Sequence, residues 1–439
     1  MNTLVSLCTN PALISVILLC FLCLKRVNVL LAIIVSTITA GLLSGMNIKV
    51  IMDTFISGMG GNSETALSYI LLGAFAATMA HTGFTDVISS KIADFVSDKK
   101  GLLLVLLCLI AMASQNIIPI HIAFIPILIP PLLPLMNKMK LDRRAVACVL
   151  AFGLKMPYIA IPVGFGLIFQ NLIADNMVQN GVNILRADVW KYTSILGLGM
   201  FVGLLIAVFV TYRKKREYKD LKQESENAVK TTNFRKEHIL IIIAALATFV
   251  VQLATKSLPL GALVGLGIMF SCKVIPNHKM DSMMNEGIYL MGYVAFVMLV
   301  AAGFADVLNA TGSIEKMVNT ILPVLPANIL LTSLIILILG LFITIGIGTS
   351  FGTIPIIAVL FIPVCVKTGY NPAQIAVLLA AAAALGDAGS PASDTTLGPT
   401  SGLNADGQHN HIFDTCIPTF LHYNTTLIIF ALIGICLFN

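Results

Sequence analysis

Residues 386 to 396, Gly-Asp-Ala-Gly-Ser-Pro-Ala-Ser-Asp-Thr-Thr, bring two carboxylates, four hydroxyls, two glycines and a proline together directly after an alanine-rich apolar run. A helix cannot pass undisturbed through Gly389-Ser390-Pro391, because proline lacks the N–H and its ring collides with the preceding turn. Inside lipid, loose backbone and an ionised aspartate survive only under a cover of protein or beside a watery cavity. The chemistry expected of this stretch is therefore binding of a hard cation or a proton. A helix running from about Asn371 to Leu385 would end at Gly386 with its unpaired carbonyls and negative dipole end at mid-membrane. Asp387 adds a full charge there, and Ser390, Ser393 and Thr395 add neutral oxygens of the kind Na+ prefers. Asp394 is a second candidate ligand or proton carrier. A carboxylate neutralised structurally, by a helix end or a basic partner, is the competing reading of the same residues.

Other segments offer partners for this break. Thr344-Ile-Gly-Ile-Gly-Thr-Ser-Phe-Gly-Thr353 spaces glycines among hydroxyls, so backbone could approach an ion closely, with Thr349, Ser350 and Thr353 as candidate oxygens. Glycines in membrane helices also serve close packing. In the first half, Ser114-Gln-Asn116 and His121 lie at a corresponding polar tip, and Lys155 opens the run Lys-Met-Pro-Tyr-Ile-Ala-Ile-Pro-Val-Gly-Phe-Gly166. An ammonium in lipid must face the bundle interior and find a carboxylate, so Lys155 is expected to pair with Asp387 or Asp394. His121 could titrate or serve as a fixed hydrogen-bond partner. His409 and His411 follow Asp406 in a polar stretch expected to be a solvated cytoplasmic loop, since the further ligands of a metal site are missing.

The elements that must hold these residues are membrane helices. With 57% hydrophobic and 11% charged residues and a mean hydropathy of +0.94, the chain is far too apolar for a soluble globule of 439 residues. The net charge of +6 gathers in loops, above all at Arg213-Lys-Lys-Arg216, which speaks for orientation in the membrane and against nucleic-acid binding. The cysteines lie mostly in apolar spans and lack zinc-site spacing. Pro11 to Leu24 has no basic leader and reads as a retained span.

Apolar segments fall near 5–24, 27–45, 66–90, 101–136, 142–178 and 193–212, and then, after a polar basic linker over 213–237, near 238–254, 258–275, 286–308, 328–366, 372–398 and 412–438. Shifting the first set so that Thr82-Gly83 falls on Thr311-Gly312 also puts Pro126 on Pro355, Pro134 on Pro363, Lys138 on Lys367 and Pro162 on Pro391, without a gap. That register indicates an internal repeat, 1–212 and 238–439. Basic residues flank both ends of 101–136 (Lys99 and Lys100; Lys138, Lys140, Arg143 and Arg144), so this segment should enter and return as a re-entrant hairpin. Its counterpart, 328–366, should enter from the opposite side. Two full spans in each long segment would be compatible with the same flanks. The expected fold is an all-α polytopic membrane protein of two inverted repeats, each with about five spans, a re-entrant hairpin and a broken helix.

The break, together with the polar Gly402-Leu-Asn-Ala-Asp-Gly-Gln-His-Asn-His411 that follows it, resembles the NhaC-type sodium/proton antiporter family over most of the chain. The resemblance implies ion binding where each hairpin tip meets the broken helix of its own repeat. Ser114 and Asn116 fit that pattern in one repeat, and Thr349, Ser350 and Thr353 in the other. The first break departs from it, having no carboxylate between Pro157 and Gly166. A similar subgroup is regarded as moving amino acids, histidine among them.

The reading is thus a cation-coupled secondary transporter of the bacterial inner membrane, Na+/H+ antiporter-like. Na+ or H+ would be its coupling ion, with a possible Na+ at Asp387 and no other cofactor or metal. Coupled amino-acid transport is the alternative. Expected partners are the bilayer, a small ion or solute and a second copy in a homodimer. Enzymatic activity is not expected: an intramembrane aspartyl protease would need a second catalytic aspartate from the first half, which is missing. A passive channel is a weaker alternative, and no phosphate-binding Gly-Lys-Ser/Thr loop is present to support ATP-driven pumping.

Overall fold

The computed structural model describes residues 9–84, 87, 91–92, 95–96, 99–116, 125–163, 165–219, 235–255, 257–321 and 328–438, and helices dominate them. The first half comprises α1 (Pro11–Leu24), α2 (Val29–Leu43), α3 (Ile48–Met59), α4 (Ser63–His81), α5 (Lys100–Asn116), α6 (Ile125–Lys138), α7 (Arg143–Ala160), α8 (Phe165–Gln179) and α9 (Arg186–Thr211). The second comprises α10 (Lys236–Thr255), α11 (Leu258–Ser271), α12 (Met280–Ala310), α13 (Ser313–Ile321), α14 (Ile329–Ile347), α15 (Ser350–Lys367), α16 (Pro372–Ala384), α17 (Asp394–Leu403) and α18 (His411–Leu437). Helices α9, α14 and α18 are each long and apolar enough to cross a membrane, and so are three bent pairs, among them α7 with α8 across a 47° bend.

The expected apolar segments each hold helix. Helices α3 and α13 were not expected; both are short and amphipathic, with Lys49 and Asp53 on one and Glu315 and Lys316 on the other, so no long apolar run announces them. Four helices of the first half and four of the second begin at one constant separation, 229 residues: Val29 and Leu258, Lys100 and Ile329, Arg143 and Pro372, Phe165 and Asp394.

The region around the break is built from small residues. α16 carries Ala380 to Ala384, all buried, and lets α14 approach so closely that a Cβ at Gly340 would lie 2.6 Å from that of Ala382. Asn371 caps α16 through a capping box with Gln374, and Pro372 occupies the first turn, where its missing N–H costs nothing. The second hairpin, α14 and α15, opens toward the start of α16: Ser333 near the beginning of α14 lies 2.8 Å from the Tyr370 hydroxyl just before α16. Its tip, at Gly348 (φ 80°) and Thr349, reaches the other end of α16, where Thr344 donates to the Ala382 carbonyl at 2.9 Å.

At the basic end of the molecule, residues 404–411 form a tethered lid in which Asn404, Ala405, Gly407 and Asn410 stay exposed, as in the solvated loop expected, and His409 is buried. Arg143 is fully buried and grips Asp406 with both guanidinium nitrogens at 2.6 Å, with the Tyr218 ring 4.2 Å away. Arg216 binds Asp414 at 2.7 Å, and Gln408 pairs with the backbone of Lys219 through both amide atoms. His409 is 2% exposed, because its Nε2 bonds Thr415 inside the lid at 2.7 Å. Burial pushes its pKa down to about 3, so it is neutral at physiological pH. No group of acidic, histidine and cysteine side chains suited to a metal exists among the described residues.

Two outcomes test this packing. Gly389 holds φ 105° with Phe420 Cα 2.7 Å from where its Cβ would be, so Gly389→Ala should lower stability by roughly 2 kcal/mol or more, read from thermal melting. Asp406 is pushed up by burial, but the hydrogen bonds and charge of Arg143 outweigh this and hold it below the ordinary 3.8. A depressed folded pKa contributes stability above the unfolded value and loses it as pH falls through the folded one. Melting temperature should therefore drop below about pH 4 more steeply for the native protein than for Asp406→Asn; parallel curves would contradict this.

Candidate cation and proton site

The break runs from Leu385 to Ser393, between α16 and α17. Gly386 turns the chain with φ 82°, a conformation open to glycine, and a Cβ there would meet the Leu341 carbonyl at 2.6 Å. Asn424 of α18 props the turn from behind, accepting from Gly386 N at 3.2 Å and donating to Ala388 O at 2.9 Å. Asp387 is thereby aimed inward, 4% exposed.

Among the described residues, each side chain hydrogen-bonded to the Asp387 carboxylate is a donor. Ser350, at the hairpin tip, donates to Oδ2 at 2.5 Å, and Tyr158 of α7 donates to the same oxygen at 3.0 Å. Ser393 donates to Oδ1; it also caps α17 by accepting from Thr395 N, which ties the start of that helix to the acid. Thr395 Oγ1 donates to the Asp387 carbonyl at 3.2 Å and lies 2.8 Å from Ser393 Oγ. Lys155 brings its ammonium 2.9 Å from Oδ2 and is 1% exposed. Beyond Asp387 its nitrogen has no acceptor among the described residues. Lys155 thus depends on this one carboxylate, a state of high electrostatic cost inside a protein if the partner is lost.

Of the residues singled out in the sequence, the structure brings Asp387, Ser350, Ser393, Thr395 and Lys155 into one cluster, and it selects Asp387 over Asp394 as the partner of Lys155. Asp394 begins α17, half-buried, 3.5 Å from Ser393 Oγ. Among the described residues Ser390 makes no hydrogen bond to the Asp387 carboxylate; its hydroxyl accepts from Ala392 N in the local turn at 3.2 Å. Thr353 bonds back to Thr349 O at 2.7 Å, and Thr349 sits at the start of α15 without capping it through its side chain. Ser114 bonds back to Ala111 O at 2.8 Å within α5. The side chain of Asn116 and all of His121 lie outside the described residues.

Sequence reasoning passed over Tyr158 and Asn424. Tyr158 carried a signal: it precedes Asp387 by 229 residues, the separation of the helix starts. It packs its ring against Phe169 and Phe351, centroids 5.0 and 5.4 Å away.

The sequence pattern of the Na+/H+ antiporter family matches residues 149–435, which hold both breaks and the whole cluster, and a second Na+-H+ antiporter family pattern matches residues 10–96. The chain belongs to the Na+/H+ antiporter family. Among relatives of this antiporter-family chain, a membrane protein of Vibrio parahaemolyticus is 45% identical over 97% of this chain and 99% of its own length. A Bacillus subtilis protein bearing the name "Putative amino acid transporter YuiF" is 43% identical over 97% of this chain and 99% of its own. The crystal structure of the Alcanivorax borkumensis YdaH transporter aligns over 89% of this chain and 88% of that one, with 12% identity and a TM-score of 0.45, too distant to carry an inference. Like its family, the chain is an integral membrane transporter.

The Tyr158 hydroxyl supplies one of the hydrogen bonds to Asp387. Tyr158→Phe keeps the aromatic packing and should weaken the apparent affinity for the activating cation roughly fivefold to tenfold, with melting unchanged. Native cation dependence in that variant would remove Tyr158 from the site.

Proposed function

We propose that this antiporter-family protein is a cation-coupled secondary transporter in which Asp387 exchanges the ammonium of Lys155 for a coupling ion, Na+ or H+. The observation that carries this is the buried Lys155–Asp387 pair ringed by Ser350, Ser393, Thr395 and Tyr158. Ammonium and Na+ compete for one carboxylate. When Lys155 withdraws, the hydroxyls around Asp387 offer lone pairs in place of their protons, giving the oxygen-rich set that Na+ requires. A proton on Asp387 releases Lys155 equally well, because it removes the charge that holds it.

Alternating access follows from an inverted repeat of 1–212 and 238–439 joined by the linker over 213–237. The coincident helix starts support the repeat. So does the contact between Tyr158 and Asp387, since two equivalent residues can touch only at the axis relating their repeats. The coupling site then lies on the axis about which the halves rock. Coupled uptake of an amino acid is the second reading, favoured by the name of the Bacillus subtilis relative and by the Lys155 ammonium, which has three N–H donors and no acceptor besides Asp387 among the described residues.

The test is flux in proteoliposomes under imposed Na+ and proton gradients, with and without a panel of amino acids. Proton release on Na+ addition alone marks an antiporter; gradient-driven uptake of an amino acid marks a coupled solute carrier. In either case Asp387→Asn should reduce coupled flux at least a hundredfold, and Lys155→Met should uncouple it. Full coupled transport in Asp387→Asn or Lys155→Met overturns the proposal.

A further inference from the structure

Behind the break, α18 touches its backbone turn by turn. Asn424 holds Gly386 N and Ala388 O, Phe420 packs on Gly389, Cys416 Sγ lies 3.9 Å from Ser390 O, and His411 Nε2 lies 2.9 Å from Pro391 O. His411 differs from the other three in one respect. Half-buried, it also lines a cavity of about 690 Å³ on the lid side, together with Thr400 and His409. One imidazole ring therefore touches both the cavity and the break.

The tautomer of that ring follows from its partners. A carbonyl only accepts, so in the neutral ring His411 Nε2 carries the proton and Nδ1 is a bare lone pair. Thr400 Oγ1, 2.8 Å from Nδ1, is then its donor. A hydroxyl has one proton to give, so Thr415 Oγ1, 2.9 Å away, donates to Thr400, and His409 Nε2, 2.7 Å from Thr415, donates to that hydroxyl in turn. This order leaves His409 Nδ1 as an open acceptor, and that buried atom has no hydrogen-bond partner among the described residues. The Thr396 carbonyl, 2.9 Å from Thr400 Oγ1, is another outlet for the Thr400 proton, but taking it leaves His411 Nδ1 without a hydroxyl donor as well. Every proton of the row points toward His411 Nδ1. The titratable groups facing the ring are Cys416 of its own helix, with Sγ 3.5 Å from Nε2, and His409 of the lid; Asp414, Arg143 and Arg216 surround His409, and Arg26 lines the cavity.

A ring that accepts on the cavity side and donates on the break side is arranged to hand protons across. We infer that His411 is the residue through which protons pass between the cytoplasmic cavity and the break. A proton from the cavity binds Nδ1, directly or along the row from His409. The ring, then protonated on both nitrogens, gives its Nε2 proton to a carboxylate of the break, Asp387 or Asp394, and rotation of the ring returns an N–H to the break side. Thr400, Thr415 and His409 act as positioning residues that hold the tautomer. The inference rests on the transporter reading and deepens it, because it makes H+ a coupling ion and gives it a route.

Proton movement read with a pH dye trapped in proteoliposomes of the full chain, driven by a Na+ jump or by a mixture of L-amino acids, tests it. His411→Gln keeps an N–H for Pro391 O and an acceptor for Thr400 but takes up no proton. It should lower the initial proton rate about tenfold or more, with the half-saturating driver concentration and the melting temperature unchanged. In His411→Ala, added imidazoles should restore the rate in order of their base strength, which a packing role would not produce. Thr400→Val should slow proton movement, and Thr400→Ser should retain the native rate. The inference is overturned if His411→Gln moves protons at the native rate, if imidazoles rescue His411→Ala without regard to base strength, or if the native protein moves no protons under either driver. Na+-driven transport lost in Asp387→Asn would in that last case leave the coupling role of Asp387 standing, whereas coupled flux that persists in Asp387→Asn sinks that role whatever His411 does.

Discussion

One buried ion pair, Lys155 with Asp387, sets the terms for the rest of the molecule. Two opposite charges taken out of water cost several kcal/mol each before their attraction is counted. They persist inside a bilayer protein only if other groups complete the carboxylate's hydrogen bonds and keep lipid away. Ser350, Ser393 and Tyr158 do the first, each brought by a different element: the hairpin tip, the cap of α17 and the broken helix of the first half. The alanine-lined face of α16 does the second, letting α14 close over the break with almost no side chain between them.

The same constraint explains what the halves share and where they differ. Four helix starts in the first half recur at the same separation in the second, which supports the proposed repeat. At that separation Tyr158 in one half corresponds to Asp387 in the other, and Lys155 corresponds to Ala384. Charge is thus distributed asymmetrically between the halves. One acid and one base meet at the second break, and the first carries no carboxylate between Pro157 and Gly166.

Much of this was legible in the sequence, because lipid penalises the features that mark it. Gly-Ser-Pro after a polyalanine run, and a lone lysine in an apolar segment, have few uses apart from a break and a buried pair. Tyr158 and Asn424 were harder to see, since a tyrosine or asparagine in a membrane helix is common and only tertiary contact assigns it a role. Ser390 is ambiguous by type for the related reason that hydroxyls near a break also satisfy local backbone, as Ser390 does for Ala392 N. The solvated character of residues 404–411 was legible, but their tethering was not. It depends on Arg143, Arg216 and Lys219, which lie roughly 200 residues away in the chain and cannot be paired with it by local pattern.

The account stands on Asp387 changing partners. Infrared difference spectra of the membrane-embedded protein, recorded on addition of Na+ and separately on acidification, report the state of that carboxylate, with Asp387→Asn identifying its band. A carboxylate band that shifts with Na+, or is replaced by a protonated-acid band on acidification, and that vanishes in Asp387→Asn, is the predicted result. An Asp387 band unmoved by either ion, in a sample that still transports, would contradict it.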